Sequence, residues 1–402
     1  MINILNLDAK MGLNYYIYSL LCNFMSNNNS LDVPLNYKQC RRCVMDTSDS
    51  EILFDSQMYC NHCNSYLSQK AKLSSQIDSL SNLLNTKILQ IKKSGRNKKY
   101  DCVIGVSGGA DGCYSAYLSK KMGLRPLLVH MDNGWNSTTS VENIKVIADK
   151  LQLDYESYVL DWEEFKDLQL SFLKASVPEI ETPTDIAILG SLHKIAGKYG
   201  VKHIIMGCNF STEGILPKSW HYDAKDKKFV TGIQSIFGKV RLKSFPFFDF
   251  WTEAYYKLIK RTKIFYLLNY VNYDRTKAVE LLKGFGWKDY MEKHHESHYT
   301  KLVQTYILPV KFHIDYRKVF LSVSICNGDI RREDALKILE RPYYNTNTVG
   351  DEIGYVCKKL QITASEFEQI MRAPIKSYKD YPNNQRIISL VYMAYHNLVT
   401  KN

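Results

Sequence analysis

The stretch YDCVIGVSGGADGCYSAYL, Tyr100 to Leu118, limits what this chain can fold into more than any other: an apolar strand breaks into glycine and small residues, then resumes as a helix. From Asp101 onward the pattern repeats. Short β-rich runs (CVIGV, PLLVHM, YESYVL and KHIIMG) alternate with helical ones from Gly112, over Val141 to Leu151, and up to Tyr199. Such alternation predicts an α/β domain whose parallel sheet is covered by helices on both faces. Ligands of such sheets bind at the carboxyl ends of the strands, where the glycine turn lies.

The turn is not a Walker A loop, because no Lys-Ser/Thr follows the glycines, and Gly105, Gly108, Gly109 and Gly112 do not fit GxGxxG. Backbone N–H groups of Ser107, Gly108, Gly109 and Asp111 can instead converge on an anion at a helix N-terminus. A carboxylate beside a phosphate is electrostatically sensible only with a divalent cation between them, so Asp111 points to Mg2+ and a pyrophosphate group. The plainer reading is a glycine turn kept for packing.

Two CxxC knuckles, Cys40-Arg-Arg-Cys43 and Cys60-Asn-His-Cys63, flank sixteen residues that read as a short hairpin. Each pair can grip one side of a tetrahedral Zn2+, which predicts a zinc ribbon; four cysteines close the coordination sphere and make the metal structural. A redox pair is the alternative. His62, inside the second knuckle, reads as a bystander. Ten cysteines in a chain with no evident secretory signal argue against a disulfide framework.

The 402 residues, 45% of them hydrophobic, suffice for two to three domains. No run approaches the ~20 apolar residues of a membrane span. Met11 to Met25 is too short and contains Asn14 and Asn23, so it reads as a packed helix or a surface anchor, and the expected location is the cytoplasm. Lys and Arg number 53 against 41 Asp and Glu; the resulting +12 suits a nucleic acid, an anionic small molecule or a solvated basic surface. Leu73, Ile77, Leu80, Leu84, Ile88 and Ile91 recur at three- and four-residue steps, predicting an amphipathic connecting helix that stops near Ser94-Gly95. Beyond Arg331, REDALKIL and SEFEQIMRAP predict further helices. His294-His295-Glu296-Ser297-His298 lacks the HExxH spacing of a zincin, leaving sugar or phosphate binding, a polar helix start, or another metal site as its readings.

The SGGADG turn resembles the SGGxDS signature of the PP-loop ATP pyrophosphatases, which cleave ATP to AMP and pyrophosphate. The ordered set CRRCVMDTSD, the second CxxC, VSGGADG, HMDNGWN, GCNFSTEGILPKSW and GFGWKDYMEKHHESHYTKLVQTYILPVKFHIDYRK is similar to the bacterial N-acetyl sugar amidotransferases of O-antigen and flagellin-glycan gene clusters, over roughly Asn36 to Ile375. The resemblance implies a Rossmann-like PP-loop domain over 98–245. A zinc ribbon (37–68) and a connecting helix (69–97) precede it, a mainly helical substrate domain (246–402) follows, and 1–36 form an extension. It also implies an ATP site of Ser107, Gly108, Gly109, Asp111, Gly112, Asp132 and Gly207, with Ser107 and Asp111 catalytic; Asp132 also reads as a helix cap. Asn209, Glu213 and Lys218 would form a substrate or metal loop, with plain surface placement as the alternative for the last two. His294, His295 and Glu296 would contact the substrate. Where the family has Ser after the loop Asp, this chain has Gly112, so a helix-capping hydroxyl is missing and a serine there is expected to be neutral or beneficial.

The implied reaction turns the acetamido group of a nucleotide-linked N-acetyl sugar into an acetamidino group, through an adenylated amide that ammonia attacks. No glycine-flanked elbow surrounds Cys22, Cys102, Cys208, Cys326 or Cys357, and Cys113 lies in the turn as a buried thiol or a nucleophile. Ammonia is therefore expected from outside; the resemblance implies a separate glutaminase related to that of histidine biosynthesis, with or without its barrel-shaped partner. One alternative is a PP-loop tRNA-modifying enzyme, a thiolase or lysidine synthetase, which predicts salt-sensitive RNA binding; on the leading reading nucleic acid is not a partner. A non-catalytic ribbon scaffold is the third.

Overall fold

The computed structural model describes residues 37–75, 77–222, 225–290, 296–390 and 393, so the extension over 1–36 lies outside the described residues. The principal elements are helices α1 (Asn61–Ser74) and α2 (Ile77–Gly95), strand β1 (Cys102–Gly105), α3 (Ala110–Lys121), β2 (Pro126–Asp132), α4 (Thr138–Leu151), β3 (Tyr155–Val159), α5 (Trp162–Ala175) and α6 (Thr182–Lys198). They continue with β4 (His203–Ile205), β5 (Lys263–Phe265), α7 (Arg275–Gly284), α8 (Tyr316–Asn327), α9 (Arg332–Leu339), α10 (Val349–Leu360) and α11 (Ala364–Arg372). Two compact units result. A ribbon unit takes Met1–Lys70, Glu213–Ser219 and His298–Ala373; a sheet unit takes Ala71–Thr212, Trp220–Ser297 and Pro374–Asn402.

In the sheet unit the five strands are all parallel, in the order β3-β2-β1-β4-β5. Their two-residue alternation decides which helices each face receives. Cys102, Ile104 and Leu128 pack with Leu84, Ile88 and Ile91 of α2 and with Ile144 and Ile147 of α4. Val103, Leu127, Val129 and Ile204 pack instead with Leu192, Ile195 and Ala196 of α6. Each fully buried Leu or Ile contributes about 1.5–3 kcal/mol, so the doubly covered sheet is the stable platform for whatever its edge carries. The chain leaves β1 for β2 on one side and reaches β4 on the other. A crevice therefore opens at the carboxyl ends of β1 and β4.

The four expected strands are present, and β5 is an edge strand that the sequence reading left out: three residues with one exposed lysine make no legible run. With β5 and α7 the sheet unit continues past residue 245, where the sequence had been divided.

In the ribbon unit, an antiparallel bridge from Gln39 to Asp46 closes round the first knuckle, and one from Phe54 to Cys60 closes the hairpin expected between the knuckles. The ribbon is fastened to α8 and α9. Lys318 pairs with the buried Asp46 carboxylate at 2.6 Å, the Tyr66 hydroxyl donates to Asn327 Oδ1 at 2.7 Å, and Arg332 donates to the carbonyls of Cys40 (2.9 Å) and Cys43 (3.0 Å). Sequence division had set the ribbon and the C-terminal helices apart; buried ion pairing and capped carbonyls make them one body. Among the described residues, no helix is long and apolar enough to cross a membrane.

Candidate functional site

The turn after β1 is held from outside by its carbonyls. His130 Nδ1 donates to Val106 O at 3.0 Å, Ser140 Oγ to Ser107 O at 2.7 Å, and Gly108 O accepts Trp287 Nε1 at 2.8 Å and Asn143 Nδ2 at 3.3 Å. Burial lowers the His130 pKa and keeps the ring neutral, as a donor to a carbonyl can be. Gly108 has φ +88°, a conformation that a side chain would strain. Gly109 is the N-cap of α3 and brings no capping side chain to the first N–H groups of the helix. Three carbonyls drawn away and a helix start whose N-cap is glycine give the turn the form of an anion cradle.

Asp111 lies in the first turn of α3. Its Oδ2 accepts Asn209 Nδ2 at 3.1 Å and Thr212 Oγ1 at 3.2 Å, and its Oδ1 accepts the Tyr273 hydroxyl. All three donors are neutral. Burial, followed by the Asp111 charge, pushes the Tyr273 phenol far above its ordinary range, so it stays a donor. These bonds span the crevice from β1 to β4 and hold the carboxylate in one orientation.

Gly207, just beyond β4, meets the same helix start. A Cβ there would stand 2.7 Å from Gly112 N and 2.9 Å from Gly112 Cα. Gly207→Ala is therefore expected to cost ~2–3 kcal/mol, read as a lower urea midpoint, and to weaken nucleotide binding with it. Gly112 itself is inside the helix, and a Cβ there would meet Gly105 O at 3.2 Å. The expectation that serine at 112 restores a cap is thus corrected: the cap position is Gly109, three residues earlier.

Asp132 ends β2 and braces the turn that follows, its Oδ1 accepting Gly134 N and Asn136 Nδ2, both at 2.9 Å. Asn209 is buried and bonds Asp111 as above. Glu213 and the exposed Lys218 fall in the segment that clusters with the ribbon unit, so the expected loop from Asn209 to Trp220 is divided between the units. His294 and His295 lie outside the described residues. Glu296 is described, and its Oε1 lies against Gly109, where a Cβ would collide with it. Cys113 is fully buried, and burial pushes its thiol up, as suits packing rather than attack. The sequence reading did not pick out His130, Ser140, Asn143, Thr212, Tyr273 or Trp287. His130, Thr212 and Trp287 had a signal, standing in the HMDNGWN, GCNFSTEG and GFGWKDY blocks; Ser140, Asn143 and Tyr273 had none.

In the ribbon unit, the sulfurs of Cys40, Cys43, Cys60 and Cys63 are buried and all lie within 4.8 Å of one another. Cys40 and Cys63 sulfurs are 3.7 Å apart and those of Cys43 and Cys60 3.5 Å, close to the ~3.8 Å edge of a tetrahedron with 2.3 Å Zn–S bonds. Backbone N–H groups of Arg42, Cys43 and Cys60 point at Cys40 Sγ at 3.4, 3.4 and 3.2 Å. Hydrogen bonds among the four thiols hold Cys40 far below its ordinary pKa and push Cys43 and Cys60 far above theirs. The cluster fits zinc. His62 bonds Asp49 at 2.6 Å and takes no part in it.

Residues 296–395 match the family described as "LPS biosynthesis protein WbpG-like, C-terminal domain". No curated protein matches the chain. Among solved structures, the chain is similar to a "predicted subunit of tRNA methyltransferase" from Methanocaldococcus jannaschii (14% identity, 45% of this chain and 75% of that one, TM-score 0.28). It is also similar to an NH3-dependent NAD synthetase from Campylobacter jejuni (16%, 35% and 60%, 0.26) and to NMN synthetase from Francisella tularensis (12%, 76% and 98%, 0.31).

Proposed function

We propose, for a chain whose residues 296–395 match the WbpG-like LPS biosynthesis family, an ATP-dependent amidotransferase that converts the acetamido group of a nucleotide-linked N-acetyl sugar to an acetamidino group in the cytoplasm. The observation that carries the reading is the uncapped glycine turn with Asp111 fixed beside it across the crevice. An amide oxygen leaves poorly, so it first attacks the α-phosphorus of ATP; pyrophosphate departs, ammonia adds to the activated carbon, and AMP leaves. N–H groups of the Ser107 to Gly112 turn take the charge that builds on pyrophosphate, and Asp132 is assigned to the adenosine side. Asp111 would hold Mg2+, which when bound neutralises the polyphosphate. Asn209, Thr212 and Tyr273 keep that carboxylate aimed. Zn2+ on Cys40, Cys43, Cys60 and Cys63 is structural. For the sugar, the resemblance assigns Asn209, His294 and His295 in the sheet unit.

Cysteine chemistry supports an outside ammonia source. Burial pushes the thiols of Cys326 and Cys357 up to about 12 and raises Cys102 as well, which disfavours these three as thiolate nucleophiles, while Cys208, just beyond β4, is exposed. Cys22 lies outside the described residues. Incubated with ATP, ammonium and UDP-linked N-acetyl sugars, the chain is expected to release AMP with one sugar class; glutamine alone should not replace ammonium, and a histidine-pathway-type glutaminase should restore its use. AMP release with tRNA instead would favour the RNA-modifying reading. Glutamate released by the chain alone would overturn the division of labour.

A further inference from the structure

We propose that Glu296 sets the selectivity of the glycine turn, admitting a polyphosphate only together with its divalent cation. The inference rests on the ATP reading and adds a residue to it. Glu296 Oε1 sits against Gly109, on the same side as Ser107 Oγ: both crowd the place where a Gly109 Cβ would be. A carboxylate therefore stands at the start of α3, where the N-cap residue is a glycine, beside the groups that attract an anion.

Its placement is fixed by backbone. Ser137 N donates to Glu296 O at 2.8 Å, and Ser297 forms an antiparallel bridge with Asn136. Ser137 is also the N-cap of α4, its side chain accepting Ser140 N, while Ser140 Oγ holds the Ser107 carbonyl of the turn. One helix start thus fastens both the turn and the segment that carries the carboxylate. The negative charge reaches into the helix, where it adds to burial in raising the Cys113 thiol.

A cradle with a resident carboxylate answers differently to different anions. Bare phosphate or pyrophosphate meets like charge at contact distance and must displace Glu296. A polyphosphate bound to a divalent cation brings the countercharge and does not. Glu296 acts here through charge on the bound phosphates, as a specificity-determining residue.

The test is calorimetric titration of the full chain with inorganic pyrophosphate, with and without Mg2+. Wild type is expected to bind metal-free pyrophosphate at least ~10-fold more weakly than the magnesium complex. Glu296→Gln should tighten metal-free binding about tenfold and shrink that gap. Glu142→Gln, which removes an equal charge paired with Lys288 on the surface, should change neither. Glu296→Ala serves if the glutamine variant does not fold. Unchanged metal-free binding in the Glu296 variants overturns the inference while leaving the ATP reading in place; weaker binding confined to the magnesium complex overturns it in favour of a cation ligand. If no form binds pyrophosphate or ATP, the turn is not a phosphate site and both readings fall.

Discussion

Changing Cys40 and Cys60 together to serine is expected to strip the zinc and unfold the ribbon unit. One ligand is lost from each knuckle, so neither side of a tetrahedral site survives. Apparent zinc binding energies of about 10–16 kcal/mol in small zinc-bound folds exceed what a ribbon with two isolated bridges can replace. The damage should spread to α8 and α9, because Arg332 is bonded to the carbonyls of Cys40 and Cys43 and would lose both partners as the knuckle opens. Pyrophosphate binding should survive longer than solubility: every side chain that holds the glycine turn belongs to the sheet unit. Metal analysis and a melting curve read the result. Full zinc content in the double variant would show that the four thiols are not its ligands.

The second large effect is on turnover. Asp111→Asn is expected to lower substrate-dependent AMP formation at least ~10³-fold, since charge is lost where pyrophosphate leaves. The geometry also predicts a cost in stability. The carboxylate accepts from Tyr273, Asn209 and Thr212, so an amide nitrogen would face a donor whichever way it turned. Losing one charge-assisted bond costs ~1.5–3 kcal/mol, and a lowered denaturation midpoint should accompany the lost activity. Tyr273→Phe separates the two effects, because it removes one donor and leaves the charge; its activity should fall far less. AMP formation at the wild-type rate in the Asn variant would make Asp111 structural.

What the sequence determined by itself is the local chemistry. Two CxxC pairs sixteen residues apart predict a four-thiol cluster because each bite is closed within one turn of chain. Apolar runs alternating with helical ones predict the parallel sheet, and glycines between β1 and α3 predict the turn, because the backbone demands are met by neighbours in sequence. Tertiary structure decided the rest. Trp287 reaches Gly108 from 179 residues away and Tyr273 reaches Asp111 from 162, so no spacing in the chain announces either. The same holds for Gly207 against Gly112, for the ribbon against α8 and α9, and for Glu296 over Gly109. Such contacts exist only where the sheet order carries distant segments to one crevice, or a shared core draws the chain ends together. They decide which carbonyls of the turn are satisfied from outside, and so how the turn is held.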